Sequence, residues 1–145
     1  MLAVGFVALG VSAAESFYNE SADAKAEVKA AIASSARSGK KVLVVFGANW
    51  CGDCQVLDSE MKKGELARLV GRDYEVVKVD VGRFDRNVDV AESLGVPLKK
   101  GIPSIAVLDT NGRPRYVSNG GELADARNLG EAGLVKFFSA LPSRQ

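Results

Sequence analysis

The sequence predicts an α/β fold in which a mixed sheet of about four strands is flanked by helices on both faces. Apolar runs of strand length alternate with stretches whose apolar residues recur at helical spacing. The first run, residues 42–46, contains no polar side chain, which is typical of a strand buried on both faces. The last two runs are separated by a turn signal at residues 109–112 that favours an antiparallel hairpin.

The composition limits the classes of function. A chain of 145 residues is about the length of one domain, and 47% hydrophobic with 26% charged residues is an ordinary globular balance. The formal net charge of +1 gives no support for a nucleic-acid partner. The sequence contains no histidine, which excludes imidazole as a general base and any metal site that needs a histidine ligand.

The N-terminal segment differs from the rest of the chain. Residues 2–14 carry no charge, end in small residues, and are fewer than the roughly 20 apolar residues that span a bilayer. They resemble the apolar region and cleavage signature of a secretory signal, although no Lys or Arg precedes them. A buried N-terminal helix is the alternative. We expect a signal peptide at 1–14 and one domain at 15–145. The protein would then be periplasmic or secreted, with no stable membrane insertion after processing, where disulfides persist.

The first predicted helix follows Ser21. Ser21 can act as its N-cap, with Asp23 in the first turn, where a negative charge interacts favourably with the helix dipole. Within residues 24–35, apolar and small side chains fall on one face at helical spacing, and Gly39 ends the helix. The buried strand at 42–46 comes next.

The second predicted helix starts in the segment Trp50-Cys51-Gly52-Asp53-Cys54 and continues to about residue 70, with a kink near residue 64. The order of elements is therefore αβαβαββα. The remaining predicted elements are a strand at 75–81, a short helix at 87–94 ended by Gly95, strands at 104–108 and 115–118, and a final helix at 134–141 closed by Pro142.

Cys51 and Cys54 are the only cysteines in the chain. A structural zinc site needs four ligands, so a complete site within one chain is not available, and only a site shared across a dimer would remain. A purely structural disulfide would close a very short loop and would restrict the unfolded chain little. A redox pair is the best interpretation, with no metal and no cofactor beyond the disulfide itself.

The position of the motif supports this interpretation. Because a helix opens after a buried strand, Cys51 would lie at the helix N-terminus, where the dipole and unpaired N–H groups stabilise a thiolate. Cys54 lies one turn further on the same face. Gly52 allows the tight turn between them. Cys51 would form the mixed disulfide with a partner, and Cys54 would resolve it.

A second motif, Gly101-Ile102-Pro103, comes just before the third strand. Between about residues 24 and 141 the sequence resembles the thioredoxin superfamily. The residues that carry the resemblance are Phe46, Ala48, Trp50, Cys51, Gly52, Cys54, Lys78, Gly101, Ile102 and Pro103. The resemblance implies that Pro103 is cis and faces the redox pair, and that the backbone of Ile102 binds an extended substrate. Alternatively, Pro103 is an ordinary loop proline before a strand.

Three further residues near the motif have both a structural and a functional interpretation. Trp50 covers the edge of the core, or forms an apolar collar beside Cys51, or does both. Lys78 is a solvent-exposed strand lysine, or, as the resemblance implies, lies under the redox site and tunes it. Asp53 is a solvated helix residue, or a carboxylate that raises the energy of the Cys51 thiolate and thereby favours a reductase or isomerase over a strong oxidant.

The sequence departs from the family pattern at several places. Val45 stands where many thioredoxins carry a buried acid that helps move the proton of the buried thiol, so water or another group must do this here. Asp53 stands where Pro or His is usual. Residues 97–100 lengthen the approach to Pro103, and residues 120–129 look inserted before the last helix. These departures suggest a specialised relative.

The leading functional hypothesis is an exported thiol–disulfide oxidoreductase that acts as a reductase or isomerase on protein thiols and disulfides. A separate upstream redox partner would recharge Cys51 and Cys54, and no nucleic acid is involved. The alternative is a binding or chaperone module that keeps the fold while its disulfide is inert.

Overall fold

The computed structural model describes residues 16–145, so the predicted signal peptide at 1–14 lies outside the described residues. The predicted fold class is confirmed: a four-stranded mixed sheet has helices on both faces. The elements are α1 (Ala24–Ser38), β1 (Lys41–Gly47), α2 (Gly52–Glu60), α3 (Gly64–Asp73), β2 (Tyr74–Asp80), α4 (Val88–Ser93), β3 (Ser104–Leu108), β4 (Pro114–Val117) and α5 (Ala126–Ala140), with 3-10 turns at Leu98–Lys100 and Leu141–Arg144.

Strand β1 is central in the sheet, whose order is β2-β1-β3-β4. It pairs in parallel with β2 and antiparallel with β3, so that Val44 lies between Val77 and Ala106. β3 pairs antiparallel with β4 through the predicted hairpin, in which Gly112 N–H donates to the Asp109 carbonyl at 2.9 Å. The uninterrupted apolar run of β1 is explained by this place, because a central strand covered on both faces has no solvent-facing side.

Two cores lie on the two faces of the sheet. Alternate residues of β1 supply them, since successive side chains of a strand point to opposite faces. Val42, Val44 and Phe46 join the core under α1 and α4. Leu43 and Val45 join the core under α3 and α5. The carboxyl end of β1 is thereby held between two packed layers. Cys51 follows four residues after that end.

The predicted N-cap of α1 is wrong by two residues. Asp23 is the N-cap, and its carboxylate accepts a hydrogen bond from the Ala26 N–H at 3.0 Å. Ser21 instead binds Asn19, whose side-chain oxygen accepts from both the backbone N–H and the hydroxyl of Ser21. Both residue types are good caps, and the local turn at Asn19 takes Ser21 out of the competition.

The predicted kink near residue 64 is a complete break. α2 ends at Glu60 and α3 begins at Gly64, which has φ 57°, a left-handed conformation that favours glycine. The final helix also begins earlier than predicted, at Ala126, and is interrupted by Gly130 at φ 63°. The disruption near Gly64 was thus predicted at the right place but too weakly, whereas the part of the final helix before residue 134, with its interruption at Gly130, was not predicted.

Gln145 lies at the opposite end of the strands from the cysteine motif. Gln145 donates a hydrogen bond to the Tyr74 hydroxyl at 2.9 Å and also binds Lys41. Tyr74 and Lys41 are the first residues of β2 and β1.

Two glycine substitutions test how tightly the end of β1 is packed. A Cβ at Gly47 would lie 2.9 Å from the Cys54 sulfur and closer still to the Tyr18 hydroxyl, whereas one at Gly71, inside α3, would meet nothing within 4 Å. We expect Gly47→Ala to lower the free energy of unfolding by about 1–3 kcal/mol. We expect Gly71→Ala to raise it by about 0.5–1 kcal/mol, because alanine favours the helix. Urea denaturation of the oxidised proteins measures both, and equal effects would contradict this account.

Candidate active site

Cys51 and Cys54 form a disulfide at the N-terminus of α2, with their Cα atoms 5.2 Å apart. Cys51 is the N-cap residue, and its sulfur accepts a hydrogen bond from the Cys54 N–H at 3.1 Å. Cys51 keeps 5% of its surface exposed, while Cys54 is fully buried. The helix N-terminus is favourable for negative charge on the Cys51 sulfur, and of the two cysteines only Cys51 has any exposed surface.

The loop between β1 and the motif is held by Asn49. The Asn49 side chain accepts a hydrogen bond from the Tyr18 N–H at 2.7 Å and donates one to the Tyr18 carbonyl at 2.9 Å. The side-chain amide thus pairs with the Tyr18 backbone as a neighbouring strand would. Gln55, one turn into α2, donates to the Asn49 carbonyl at 2.7 Å. Sequence reasoning missed Asn49 and Tyr18. An asparagine beside a reactive motif is a weak signal, because asparagine is common in loops.

The Ile102–Pro103 peptide is cis, as the resemblance implied. The carbonyl oxygen of Ile102 lies 3.7 Å from the Cys51 sulfur, so the motif before β3 faces the disulfide. The loop is fixed by Ser104, whose hydroxyl donates to the Gly101 carbonyl at 2.7 Å. The structure thus brings together residues that are separated by 51 positions in the sequence.

Trp50 lies beside Cys51 with 47% of its surface exposed. Its indole N–H donates to the Gly82 carbonyl at 2.7 Å, which fixes the ring. Phe84, 45% exposed, packs edge-on against the indole with ring centroids 6.2 Å apart, and the Arg83 guanidinium lies 5.4 Å from the indole centroid. Sequence reasoning missed Phe84, although an aromatic residue in a charged loop just after a strand is a usable signal.

Asp53 is paired rather than free. Its carboxylate accepts hydrogen bonds from the backbone N–H of Arg127 at 2.9 Å and from its guanidinium at 3.2 Å. A Cβ on Gly52 would lie 3.3 Å from the same guanidinium, so Arg127 also lies against the tight turn of the motif. The segment that looks inserted at 120–129 supplies this positive charge. The negative charge of Asp53 near Cys51 is therefore paired with a positive charge, whereas the sequence interpretation considered the carboxylate alone.

Lys78 has a buried partner. Its ammonium lies 2.6 Å from the Asp58 carboxylate and also donates to the Phe17 carbonyl. Asp58 is buried on α2, one turn after Cys54, and Lys62 lies 2.6 Å from its second oxygen. Sequence reasoning missed Asp58, for which the spacing of four residues from both Cys54 and Lys62 was the signal. A buried acid is therefore present on α2, whereas Val45 occupies the strand position.

Residues 16–145 contain no group of three or more His, Cys, Asp or Glu side chains that could hold a metal ion. Over the same residues, the helices are all too short or too polar to cross a membrane.

Comparison with known proteins agrees with this geometry. A family described as thioredoxin-like matches residues 23–110, which include both cysteines and Pro103. The chain belongs to the thioredoxin-like family. Among curated proteins, it is similar to a thioredoxin from Borreliella burgdorferi, with 28% identity over 81 residues, or 56% of this chain. The match spans 62% of the length of that thioredoxin.

Among solved structures, the thioredoxin-like chain is similar to a disulphide isomerase from Xylella fastidiosa Temecula1, with a TM-score of 0.87 and 42% identity. That similarity covers 90% of this chain and 99% of the other. The C-terminal domain of DsbD from Neisseria meningitidis, in the oxidised form, has a TM-score of 0.56 and 19% identity, covering 83% of this chain and 96% of that domain. The second similarity shows the fold alone.

The pairing of Asp53 with Arg127 makes opposite charge changes informative. We expect Asp53→Asn to lower the apparent pKa of the Cys51 thiol, because a nearby negative charge is removed. We expect Arg127→Gln to raise it, because the carboxylate loses its partner. Each change is up to about one unit and shrinks at high salt. Thiolate absorbance during a pH titration of the reduced protein measures both. The double variant should return close to the original value, and changes of the same sign would contradict the pairing.

Proposed function

We propose that this thioredoxin-like protein is a thiol–disulfide oxidoreductase that exchanges disulfides with protein substrates through Cys51 and Cys54, as a reductase or isomerase. The observation that carries the proposal is the arrangement of the pair. The slightly exposed sulfur caps a helix and faces a cis-proline loop, and the second sulfur is buried behind it. The similarity to a disulphide isomerase across nearly the whole chain supports the same class.

In the reducing direction, the Cys51 thiolate attacks one sulfur of a substrate disulfide. A bond forms between that sulfur and Cys51, and the other substrate sulfur leaves and takes up a proton. The Cys54 sulfur then attacks Cys51, which releases the first substrate sulfur as a thiol and restores the Cys51–Cys54 disulfide. Two electrons pass to the substrate. Isomerisation results when another substrate thiol attacks the mixed disulfide before Cys54 does.

Repeated turnover requires an external donor of two electrons, which is the role of an upstream redox partner. Export to the periplasm or outside the cell fits a protein whose chemistry is the rearrangement of disulfides, since structural disulfides persist in those compartments.

The docking surface for a substrate is proposed to lie on the Trp50 side of Cys51. Trp50 and Phe84 give an exposed aromatic pair, and a groove of about 410 Å³ runs from Phe84 past Val88 and Leu98 to Lys99 and Gly101. The groove ends at the cis-proline loop. An extended substrate segment could therefore pair with the Ile102 backbone while an apolar side chain enters the groove.

The roles of the two cysteines can be separated by substitution. With dithiothreitol as the electron donor, the protein should reduce insulin disulfides, Cys51→Ser should abolish this activity, and Cys54→Ser should accumulate mixed disulfides because the resolving thiol is gone. Turbidity of the released insulin chain and non-reducing electrophoresis measure the two outcomes. An inert disulfide, as in a binding or chaperone module, would give no insulin reduction, and trapping by Cys51→Ser instead would reverse the assignment.

The docking surface is tested by removing the Phe84 ring. We expect Phe84→Ala to raise KM for a protein substrate about threefold to tenfold, because the contact between the aromatic ring and the docked substrate is lost. The rate with a small disulfide, which reaches only Cys51, should stay unchanged. Val76→Ala is the matched control, since Val76 is also an exposed apolar residue but lies on the edge strand β2. Equal effects of the two substitutions on KM would exclude this surface.

A further inference from the structure

The resolving step poses a problem that the two cysteines do not solve by themselves. Cys54 has no exposed surface, yet it must lose a proton before its sulfur can attack Cys51. Burial disfavours the charged thiolate, so a neighbouring group has to stabilise it. Val45 on β1 has no polar group that could stabilise the thiolate, so another side chain near the Cys54 sulfur must do so.

Tyr18 supplies a hydroxyl in the neighbourhood of that sulfur. It is buried, and its hydroxyl and the Cys54 sulfur lie on the same side of the end of β1. A Cβ built on Gly47 would lie 2.9 Å from the Cys54 sulfur and still closer to the Tyr18 hydroxyl. The oxygen and the sulfur therefore face the same small space, which is open only because residue 47 is a glycine.

Resting on the proposed function, we propose that the Tyr18 hydroxyl donates a hydrogen bond to the Cys54 thiolate and stabilises it in the resolving step. Tyr18 precedes α1 and is buried, so its side chain is not part of the exposed surface beside Cys51. Its role is to make a buried sulfur reactive, and its place is set by the two hydrogen bonds between its backbone and Asn49.

The charges around this pair come from two elements. Asp58 on α2 is held between Lys78 and Lys62, and Asp80 at the end of β2 is held by Arg86 at 3.2 Å. The Lys78 ammonium also lies 5.4 Å from the centre of the Tyr18 ring. Both carboxylates therefore have a cationic partner, and both remain close enough to Tyr18 to act on its hydroxyl.

These surroundings keep the phenol in its donor form. Burial, followed by the nearby Asp58 and Asp80 carboxylates, holds the pKa of Tyr18 well above its usual range. The hydroxyl therefore stays protonated across the pH range in which a thiol ionises. It acts as a donor, not as a base, and a hydrogen bond to a charged sulfur is of the stronger kind.

The step balances without a further reagent. The Cys54 thiol gives its proton to solvent, and the hydroxyl of Tyr18 binds the thiolate that remains. That thiolate attacks the Cys51 sulfur, the bond from Cys51 to the substrate sulfur breaks, and the departing sulfur takes up a proton from solvent. Tyr18 is unchanged at the end.

The experiment follows the two steps separately with a small aromatic disulfide that releases a coloured thiol. Reduced protein releases one equivalent when Cys51 attacks and a second when Cys54 resolves the mixed disulfide. The rate of each phase is measured against pH for the unmodified protein, for Tyr18→Phe, and for Tyr74→Phe. Tyr74→Phe is the matched control, because the Tyr74 hydroxyl accepts a hydrogen bond from Gln145 at the opposite end of the strands from the disulfide.

We expect Tyr18→Phe to raise the apparent pKa of the second phase by about one unit and to slow that phase about tenfold at neutral pH. The first phase should stay unchanged, and Tyr74→Phe should change neither phase. A second phase with the same rate and pH profile in Tyr18→Phe would overturn the proposal, as would equal slowing of both phases. Failure to reduce insulin would count against the proposed function alone, because the two phases with the small disulfide are measured independently of it.

Discussion

Strand β1 ends at a residue without a side chain, and the site is arranged around that end. Five successive apolar side chains hold the strand between the two cores, each contributing about 1.5–3 kcal/mol when fully buried. At Gly47 the packing leaves just enough room for the Tyr18 hydroxyl and the Cys54 sulfur. The buried sulfur, the helix that carries it and the Tyr18 side chain can all meet there because the strand is fixed and its last residue is small.

The sequence was sufficient to predict the central strand and the cysteine pair at the start of a helix. Both features are encoded locally, as an unbroken apolar run and a spacing of one helical turn. The cis peptide before Pro103 was implied only by the resemblance to the family, because a proline just before a strand is by itself an ordinary loop proline. The same patterns predicted the mixed sheet. The break at Gly64 was predicted only as a kink, because a glycine in a helical pattern marks a disruption without fixing its length. The early start of α5 was missed, because residues 120–129 were interpreted as an insertion before the last helix.

Polar contacts between distant parts of the chain were not predictable. Asn49 with Tyr18, Asp58 with Lys78, and Asp53 with Arg127 are separated by 31, 20 and 74 positions. Hydrophobic periodicity reports which face of an element is buried, but it does not report which polar side chain across an interface completes a hydrogen bond. The family pattern places a buried carboxylate at the position of Val45 on β1, whereas here the buried carboxylates are Asp58 on α2 and Asp80 on β2.

The two ends of the described chain lie in different surroundings. Asn49 binds the Tyr18 backbone near the disulfide, and Gln145 binds Tyr74 at the beginning of β2. Ser16 and Tyr18 bind Asn49 in the loop before the disulfide, and Gln145 lies at the opposite end of the strands. A label, resin or fusion partner attached after Gln145 would leave the disulfide facing open solution. The same attachment placed just ahead of Ser16 would lie beside Asn49, in the loop that leads to Cys51, so the two positions are not interchangeable as points of immobilisation.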